Sequence, residues 1–239
     1  MSLKKNKVSV IIPAYNEEKS IGLVIRALKT SLEILPVDFS IIIGNNGSTD
    51  DTVKVAVSEG AEAITELERG YGAACLKALT LVSDDTEIIA FIDADYSDYP
   101  EEISHLLQPI LENRADLVIG SRVLGRHERG ALLPQARFGN WLSTRLIKIF
   151  WKYHFTDLGP FRAIRYNDFK KLNMKDRNFG WTVEMQIKAA RHSLRCEEVP
   201  VSYRKRIGKS KVSGTLKGSI MAGYIILKTI FSQRFSTEI

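Results

Sequence analysis

Alternation between short apolar runs and stretches of helical spacing constrains this chain most. Residues 8–13, 39–43, 87–92 and 116–120 are runs rich in valine and isoleucine, the composition of buried strands, and a weaker run lies at 61–65. Between the first two, Ile21, Val24, Ile25, Leu28 and Leu32 recur at helical spacing, with Asn16 placed to cap that helix. Further helices are expected from Ser48 or Thr49 through 53–57, from Arg69-Gly70-Tyr71-Gly72 to Leu81, and over 100–111. This order predicts an α/β chain, with a mostly parallel sheet and helices on both faces. The pattern loosens after Gly120, which suggests one domain with halves at 1–120 and 121–215, followed by an apolar, basic helix at 216–239.

In open sheets of this kind, ligands collect beyond the carboxyl ends of the strands. The sharpest polar cluster in such a place is Asp93-Ala94-Asp95-Tyr96-Ser97-Asp98, directly after the 87–92 run. Two carboxylates one residue apart repel each other unless a cation or donor lies between them. A hard divalent ion that keeps one or two carboxylates and completes its shell with substrate phosphates meets that need. A polar turn leading into the helix at Pro100 accounts for the same letters, so the motif needs company.

Composition narrows the classes. With 239 residues, 44% apolar and 26% charged, the chain is an ordinary globular protein with ample length for a core. Its net charge of +6 is uneven: Arg204, Lys205, Arg206, Lys209, Lys211, Lys217, Lys228 and Arg234 face one late acid, Glu238. Such a skew suits a phosphorylated substrate, an anionic membrane surface or nucleic acid. The cysteines, Cys75 and Cys196, and the scattered histidines lack metal-ligand spacing, against a disulfide scaffold or zinc site. The first residues lack the apolar core of a signal peptide, and no stretch reaches the ~18 apolar residues of a membrane span. The expectation is a cytoplasmic protein, peripheral to the inner face of a membrane.

Seven motifs in order carry a resemblance. They are Pro13-Ala14-Tyr15-Asn16-Glu17-Glu18, Asn46-Gly47-Ser48-Thr49-Asp50, Gly70-Tyr71-Gly72-Ala73-Ala74, Asp93-Ala94-Asp95, Gly120-Ser121-Arg122, Gly159-Pro160-Phe161-Arg162 and Arg206-Ile207-Gly208-Lys209-Ser210-Lys211. Together they resemble the family-2 glycosyltransferases of GT-A fold, nearest the dolichyl-phosphate mannose or glucose synthase-like branch. The resemblance implies a Rossmann-like nucleotide half and an acceptor half, a nucleotide-diphosphate sugar as donor, and Mg²⁺ or Mn²⁺ as cofactor.

It also implies roles. Pro13, Ala14, Tyr15 and Glu17 would floor the nucleotide pocket, with Asp93 and Ala94 beside the ribose. Asp93 and Asp95 would hold the metal. Asn45 stands where relatives carry a base-contacting aspartate, and its amide can still pair with a base edge. Ser97 replaces a metal-facing glutamine. Arg204, Arg206, Ser210 and Lys211 belong to a basic loop that would close over the diphosphate. Arg122, Arg137 and Arg162 would face an acceptor phosphate, as the guanidinium fork suits that group.

Asp157 and Glu184 are the candidate bases, Glu184 being equally readable as an i,i+4 partner of Lys188. A hydroxyl acceptor needs such a base, whereas a phosphate monoester, with a second pKa of about 6, is largely dianionic at pH 7. The preferred acceptor is a polyprenyl (lipid-linked) phosphate taken up at a membrane. Apolar and aromatic residues interleaved with cations at 138–155, and again at 216–235, motivate that choice. Sheet-covering helices or a homo-oligomer contact explain the same segments. A soluble hydroxyl acceptor, a nucleotidyltransferase and a non-catalytic nucleotide or nucleic-acid binder are the rivals. Nucleic acid is disfavoured, because the late aromatics fall in apolar periodicity, the spacing of core residues.

Overall fold

The structure, a computed structural model, describes residues 5–208 and 216–235. Its first half follows the expected alternation: β1 (Asn6–Ala14), α1 (Ile21–Glu33), β2 (Val37–Asn45), α2 (Thr52–Ser58), β3 (Glu62–Thr65), α3 (Tyr71–Leu79), β4 (Ile88–Phe91), α4 (Ile103–Leu111) and β5 (Leu117–Ser121). A single 3₁₀ turn, Pro100–Glu102, precedes α4. The second half adds α5 (Pro134–Trp151), β6 (Arg162–Arg165), α6 (Tyr166–Leu172), α7 (Trp181–Arg191), β7 (Cys196–Pro200) and α8 (Leu216–Phe235).

Among the described residues the strands form one sheet, ordered β3-β2-β1-β4-β6-β5-β7. Only β6 runs antiparallel to its neighbours, pairing Phe91 with Arg162 and Ile119 with Arg162. Both halves of the chain therefore contribute to the same sheet.

Strand alternation sends successive residues to opposite faces. On β1, Val8, Val10 and Ile12 join Ile21, Val24, Ile25 and Leu28 of α1 and Leu106, Leu107 and Ile110 of α4 in one core layer. Ile11 points the other way, into a layer with Phe91, Ile147, Phe169, Trp181 and Ile187. Each buried aliphatic or aromatic side chain contributes roughly 1.5–3 kcal/mol. Both sheet faces are covered, as parallel sheets require.

Asn16 does not cap α1. It adopts a left-handed backbone, φ 53°, and its Oδ1 accepts the Thr49 N–H at 2.8 Å. The residue thereby ties the β1 and β2 loops together at the sheet's carboxyl edge. The helix begins later, where Ser20 and Ile21 donate to the Glu17 carbonyl at 3.1 and 2.9 Å. Among the described residues, no helix is long and apolar enough to cross a membrane.

Candidate active site

A cleft of about 840 Å³ opens over the carboxyl ends of β1, β2 and β4, within the ordinary range for a ligand site. The structure brings Pro13, Ala14, Tyr15, Glu17, Asp93, Ala94, Asp95 and Arg206 together along its wall. Asn46, Arg69, Tyr71, Phe179, Tyr203 and Lys205 also line it. Tyr203 and Lys205 belong to the basic loop that the resemblance implied, whereas the motif readings gave no individual role to Asn46, Arg69, Tyr71 and Phe179, because segments distant in sequence bring them together.

The two carboxylates are prepared differently. Tyr71 donates its hydroxyl to Asp93 at 3.0 Å. Burial, and then the neighbouring Asp95 charge, raise the Asp93 carboxyl to about 7. Asp95 is buried, and its Oδ1 accepts both the Ser97 amide at 2.9 Å and the Ser97 hydroxyl at 2.5 Å. Ser97 therefore pins one carboxylate oxygen and leaves Oδ2 toward the cleft, where the Arg206 guanidinium lies 3.2 Å away. The same guanidinium donates to Glu17 at 2.5 Å, and Glu17 also accepts the Ser20 hydroxyl.

This donor set fits a divalent cation. Two carboxylates carry repulsion that burial does not relieve, and an intramolecular cation already sits against one of them. Among the described residues no group of three or more His, Cys, Asp or Glu side chains could hold a metal. Asp93 and Asp95 alone suit an ion such as Mg²⁺, which completes its shell with water and substrate phosphate.

Behind the carboxylates the turn is strained. Tyr96 has φ 62°, unusual for an aromatic residue, and Arg204 stacks 3.5 Å over its ring. Arg204 also donates to the carbonyls of Tyr96 and Asp98 at 2.7 and 3.2 Å. It braces the Asp95–Asp98 turn from behind and does not line the cleft, a correction to its expected diphosphate contact. Asp98 is 1% exposed, and neither of its oxygens finds a partner among the described residues. Burial first, then the nearby Asp93 charge, raise its carboxyl well above the ordinary range.

Asn45 corrects a second expectation. Its amide donates to Thr65 at 3.0 Å and accepts the Ser48 N–H at 3.0 Å, so both ends serve the loop rather than a base. Asn46 reaches the cleft instead, accepting the Gly70 N–H at 2.8 Å and donating to the Glu68 carbonyl at 2.7 Å. It fixes the segment from which Arg69 lies 3.8 Å over the Tyr15 ring. The first turn of α3 is closed to ligands, since Gly72 and Ala73 donate to the Asn178 and Arg177 carbonyls at 3.2 and 2.8 Å.

A second cavity, of about 420 Å³, lies beside α5. The loop between β5 and α5 serves both: Gly130, Ala131 and Leu133 line the cleft, while Arg122, Val123, His127 and Leu132 line the second cavity. Arg137, Arg145, Lys148 and His154 make the second cavity basic, and Asp157 is the one acid on its wall. That acid is already engaged. Asp157 takes Nε and one terminal nitrogen of Arg122 at 2.8 Å each, plus the Arg122 backbone N–H at 2.8 Å. Burial alone would lower the Arg122 pKa, but the Asp157 charge raises it. Glu198, missed in the sequence, accepts the Thr156 and Asp157 amides at 2.8 and 3.0 Å and so sets the Asp157 loop.

Two further expectations fail on burial. Arg162 is fully buried and donates to the carbonyls of Leu158, Gly159 and Thr182, so it holds a loop and meets no acceptor. Burial pulls its pKa down to about 10. Glu184 lines neither cavity. It accepts the Lys175 and Asp176 amides at 3.0 and 2.8 Å and pairs with Lys188 at 2.7 Å, the i,i+4 alternative. Ser210 and Lys211 lie outside the described residues.

Comparison with known proteins adds family and fold. The family model described as glycosyl transferase family 2 matches residues 9–173. An uncharacterised glycosyltransferase of Mycobacterium tuberculosis is 36% identical over 218 residues, 90% of this chain and 94% of that protein. An undecaprenyl-phosphate mannosyltransferase of Micrococcus luteus is 27% identical over 224 residues, 89% of this chain and 90% of that one. Among solved structures, glucosyl-3-phosphoglycerate synthase from Mycobacterium tuberculosis, in complex with Mn²⁺, uridine-diphosphate and phosphoglyceric acid, superposes with TM-score 0.75. It is 21% identical, and the match covers 98% of this chain and 80% of that one.

Proposed function

We propose that this chain, which belongs to glycosyl transferase family 2 and is a glycosyltransferase, transfers a hexose with inversion from a UDP- or GDP-sugar to a polyprenyl phosphate. The observation that carries this reading is the juxtaposition of two sites. A cleft with paired strand-end carboxylates lies beside a basic cavity whose one acid is neutralised by Arg122. The complexes of the solved synthase, with Mn²⁺, a uridine nucleotide and a phosphorylated acceptor, favour a similar donor and metal here. The name of the Micrococcus relative favours a lipid phosphate as acceptor.

Asp95 and Asp93 would hold the cation, which when bound supplies Lewis-acid neutralisation of the leaving diphosphate. The chain's own residues do the remainder. Arg206, Lys205 and Arg69 line the cleft with fixed positive charge, which stabilises charge developing on the diphosphate. Tyr15, held flat under Arg69, offers a face for the base. In the second cavity Arg137 and Arg122 orient the acceptor phosphate, and the Asp157 carboxylate keeps Arg122 in place. A phosphate dianion attacks without a base, consistent with an Asp157 committed to its arginine.

Thermal-shift titration with UDP and GDP, in Mn²⁺, Mg²⁺ or excess EDTA, tests the donor half. Nucleotide stabilisation that requires the metal is expected; equal stabilisation in EDTA refutes it. Transfer assays with a short-chain polyprenyl phosphate, phosphoglycerate and a neutral hydroxyl acceptor test the other half. Turnover confined to the neutral hydroxyl would return Asp157 to the role of base.

A further inference from the structure

α8 is apolar around most of its circumference, with a core-facing stripe and an exposed one side by side. Ile226, Leu227 and Ile230 pack into the core layer beneath it. Ile220, Tyr224, Phe231 and Phe235 follow at helical spacing on the outward side and stand 64%, 62%, 44% and 79% exposed. A helix hydrophobic all round is ordinarily buried all round. The outward stripe continues across the contact with α5, where Phe150 and Phe231 lie 5.9 Å apart. On α5 the exposed face carries Phe138 at 62%, Trp141 at 57% and Ile149 at 61%. Apolar patches of this extent mark interaction surfaces.

Charge identifies the partner. Residues 129–156 and 199–237 contain no aspartate or glutamate at all. The outward stripes are instead interleaved with exposed Arg145 and Lys148 on α5, Lys152 at its C-terminal cap, and Lys228 and Arg234 on α8. Arg234 leans back over the Phe150 ring at 6.0 Å. A self-complementary protein contact would need acids to answer those cations. An anionic bilayer answers them with headgroups, and takes tryptophan, tyrosine and phenylalanine at the same depth.

We propose that the outward faces of α5 and α8 together form a docking surface for an anionic lipid bilayer, with the protein lying on the membrane rather than spanning it. The surface adjoins the second cavity, because Arg137, Trp141, Arg145 and Lys148 belong to both. A phosphate-bearing lipid would reach the cavity from the plane of the bilayer. The docking surface stands without the acceptor assignment, since vesicle binding is read with no donor or acceptor present.

The test is co-sedimentation of the full chain with phosphatidylcholine vesicles, with and without phosphatidylglycerol, over a range of salt. Binding is expected only with phosphatidylglycerol and should fall as salt rises. Two variants avoid both cavities: Ile149→Ser/Tyr224→Ser/Phe235→Ser and Lys152→Glu/Lys228→Glu. Each should lower vesicle partitioning at least tenfold while thermal melting and UDP binding stay as in the parent. Absence of binding to phosphatidylglycerol vesicles overturns the proposal, as does unchanged partitioning of either variant. A dimer seen by light scattering and abolished by the first variant would assign the face to a second copy instead.

Discussion

Replacing Asp157 with asparagine is the most informative single perturbation, because it separates a positioning role from a basic one. The carboxylate is 1% exposed, while the Arg122 side chain retains 17% exposure and donates two hydrogen bonds of 2.8 Å to it, beside a third from the Arg122 backbone N–H. Asparagine keeps the volume and leaves a buried guanidinium without its counter-charge. Breaking a buried pair from one side costs about 3–5 kcal/mol, and the partial access of Arg122 to water argues for the lower figure, near 3. In a domain of this size that lowers the melting temperature by about 6–12 °C. Arg122→Met should destabilise comparably. The double variant Arg122→Met/Asp157→Asn should fall well short of the two losses added, a coupling of about 1–3 kcal/mol. Scanning calorimetry on the four proteins gives the cycle. Additive losses, or a melting shift below about 2 °C for Asp157→Asn, would refute the pair as the structural link between the β5 and β6 loops. Activity closes the argument: transfer to a phosphate acceptor should show a weakened KM, whereas a lost general base would lower kcat by about 10²–10⁴.

Three other outcomes follow from the same geometry. Asp95→Asn should leave melting near the parent value yet abolish transfer and metal-dependent UDP binding; full activity at limiting Mn²⁺ would contradict the metal role. Asp98→Asn should stabilise the metal-free protein increasingly as pH rises above about 4. The folded state keeps a proton on Asp98 that the unfolded chain, at its ordinary value of 3.8, releases. Stability is therefore lost as pH rises above about 4, and a neutral amide escapes that loss; a gain independent of pH would count against it. Gly72→Ala should cost about 3 kcal/mol, since an added Cβ would lie 2.0 Å from the Asp176 carbonyl oxygen, and urea unfolding reads the loss.

Strands β1, β2 and β5 were legible because β-branched runs closed by Pro13, Gly44 and Gly120 leave little alternative to buried parallel strands, and β4 because its apolar run stops abruptly at Asp93; β3 is short and partly exposed and gave the weaker signal. The cleft over β1 and β4 was legible for a related reason: Pro13 to Glu17 and Asp93 to Asp95 are contiguous and sit directly after such runs. The second cavity was not. β6 reads Arg-Ala-Ile-Arg, too short and too charged to announce a central strand, and Arg162 looks like a phosphate ligand until its burial is known. Asn45 has the chemistry to contact a base, but the Thr65 and Ser48 loops claim it first. Arg69 and Phe179 gave no signal, because their relevance depends on two loops more than a hundred residues apart meeting at the cleft.

The direction of β6 explains how those late loops reach the chemistry. In a parallel sheet every strand leaves its carboxyl end at one edge, so only the loops that follow strands gather there. An antiparallel strand delivers the loop that precedes it to that same edge. Arg162, the first residue of β6, is level with Phe91 and Ile119, near the carboxyl ends of β4 and β5. The 156–161 segment therefore arrives beside Asp93 on one side and Arg122 on the other, carrying Asp157. Fully buried Arg162 bonds back to the carbonyls of Leu158 and Gly159 and locks that loop to the strand behind it. β7 then runs parallel to β5, pairing Ser121 with Pro200, and releases 201–208 at the same edge, where Tyr203 bridges to both Asp98 and His127. One reversed strand thus gathers loops from both halves of the chain around two adjoining cavities. Arg162→Met tests this: by freeing the 156–161 loop it should weaken the acceptor KM about tenfold or more, a loss of 1.4 kcal/mol, while UDP affinity stays unchanged. Equal loss of UDP and acceptor binding would show that the lock serves the whole sheet rather than the acceptor side.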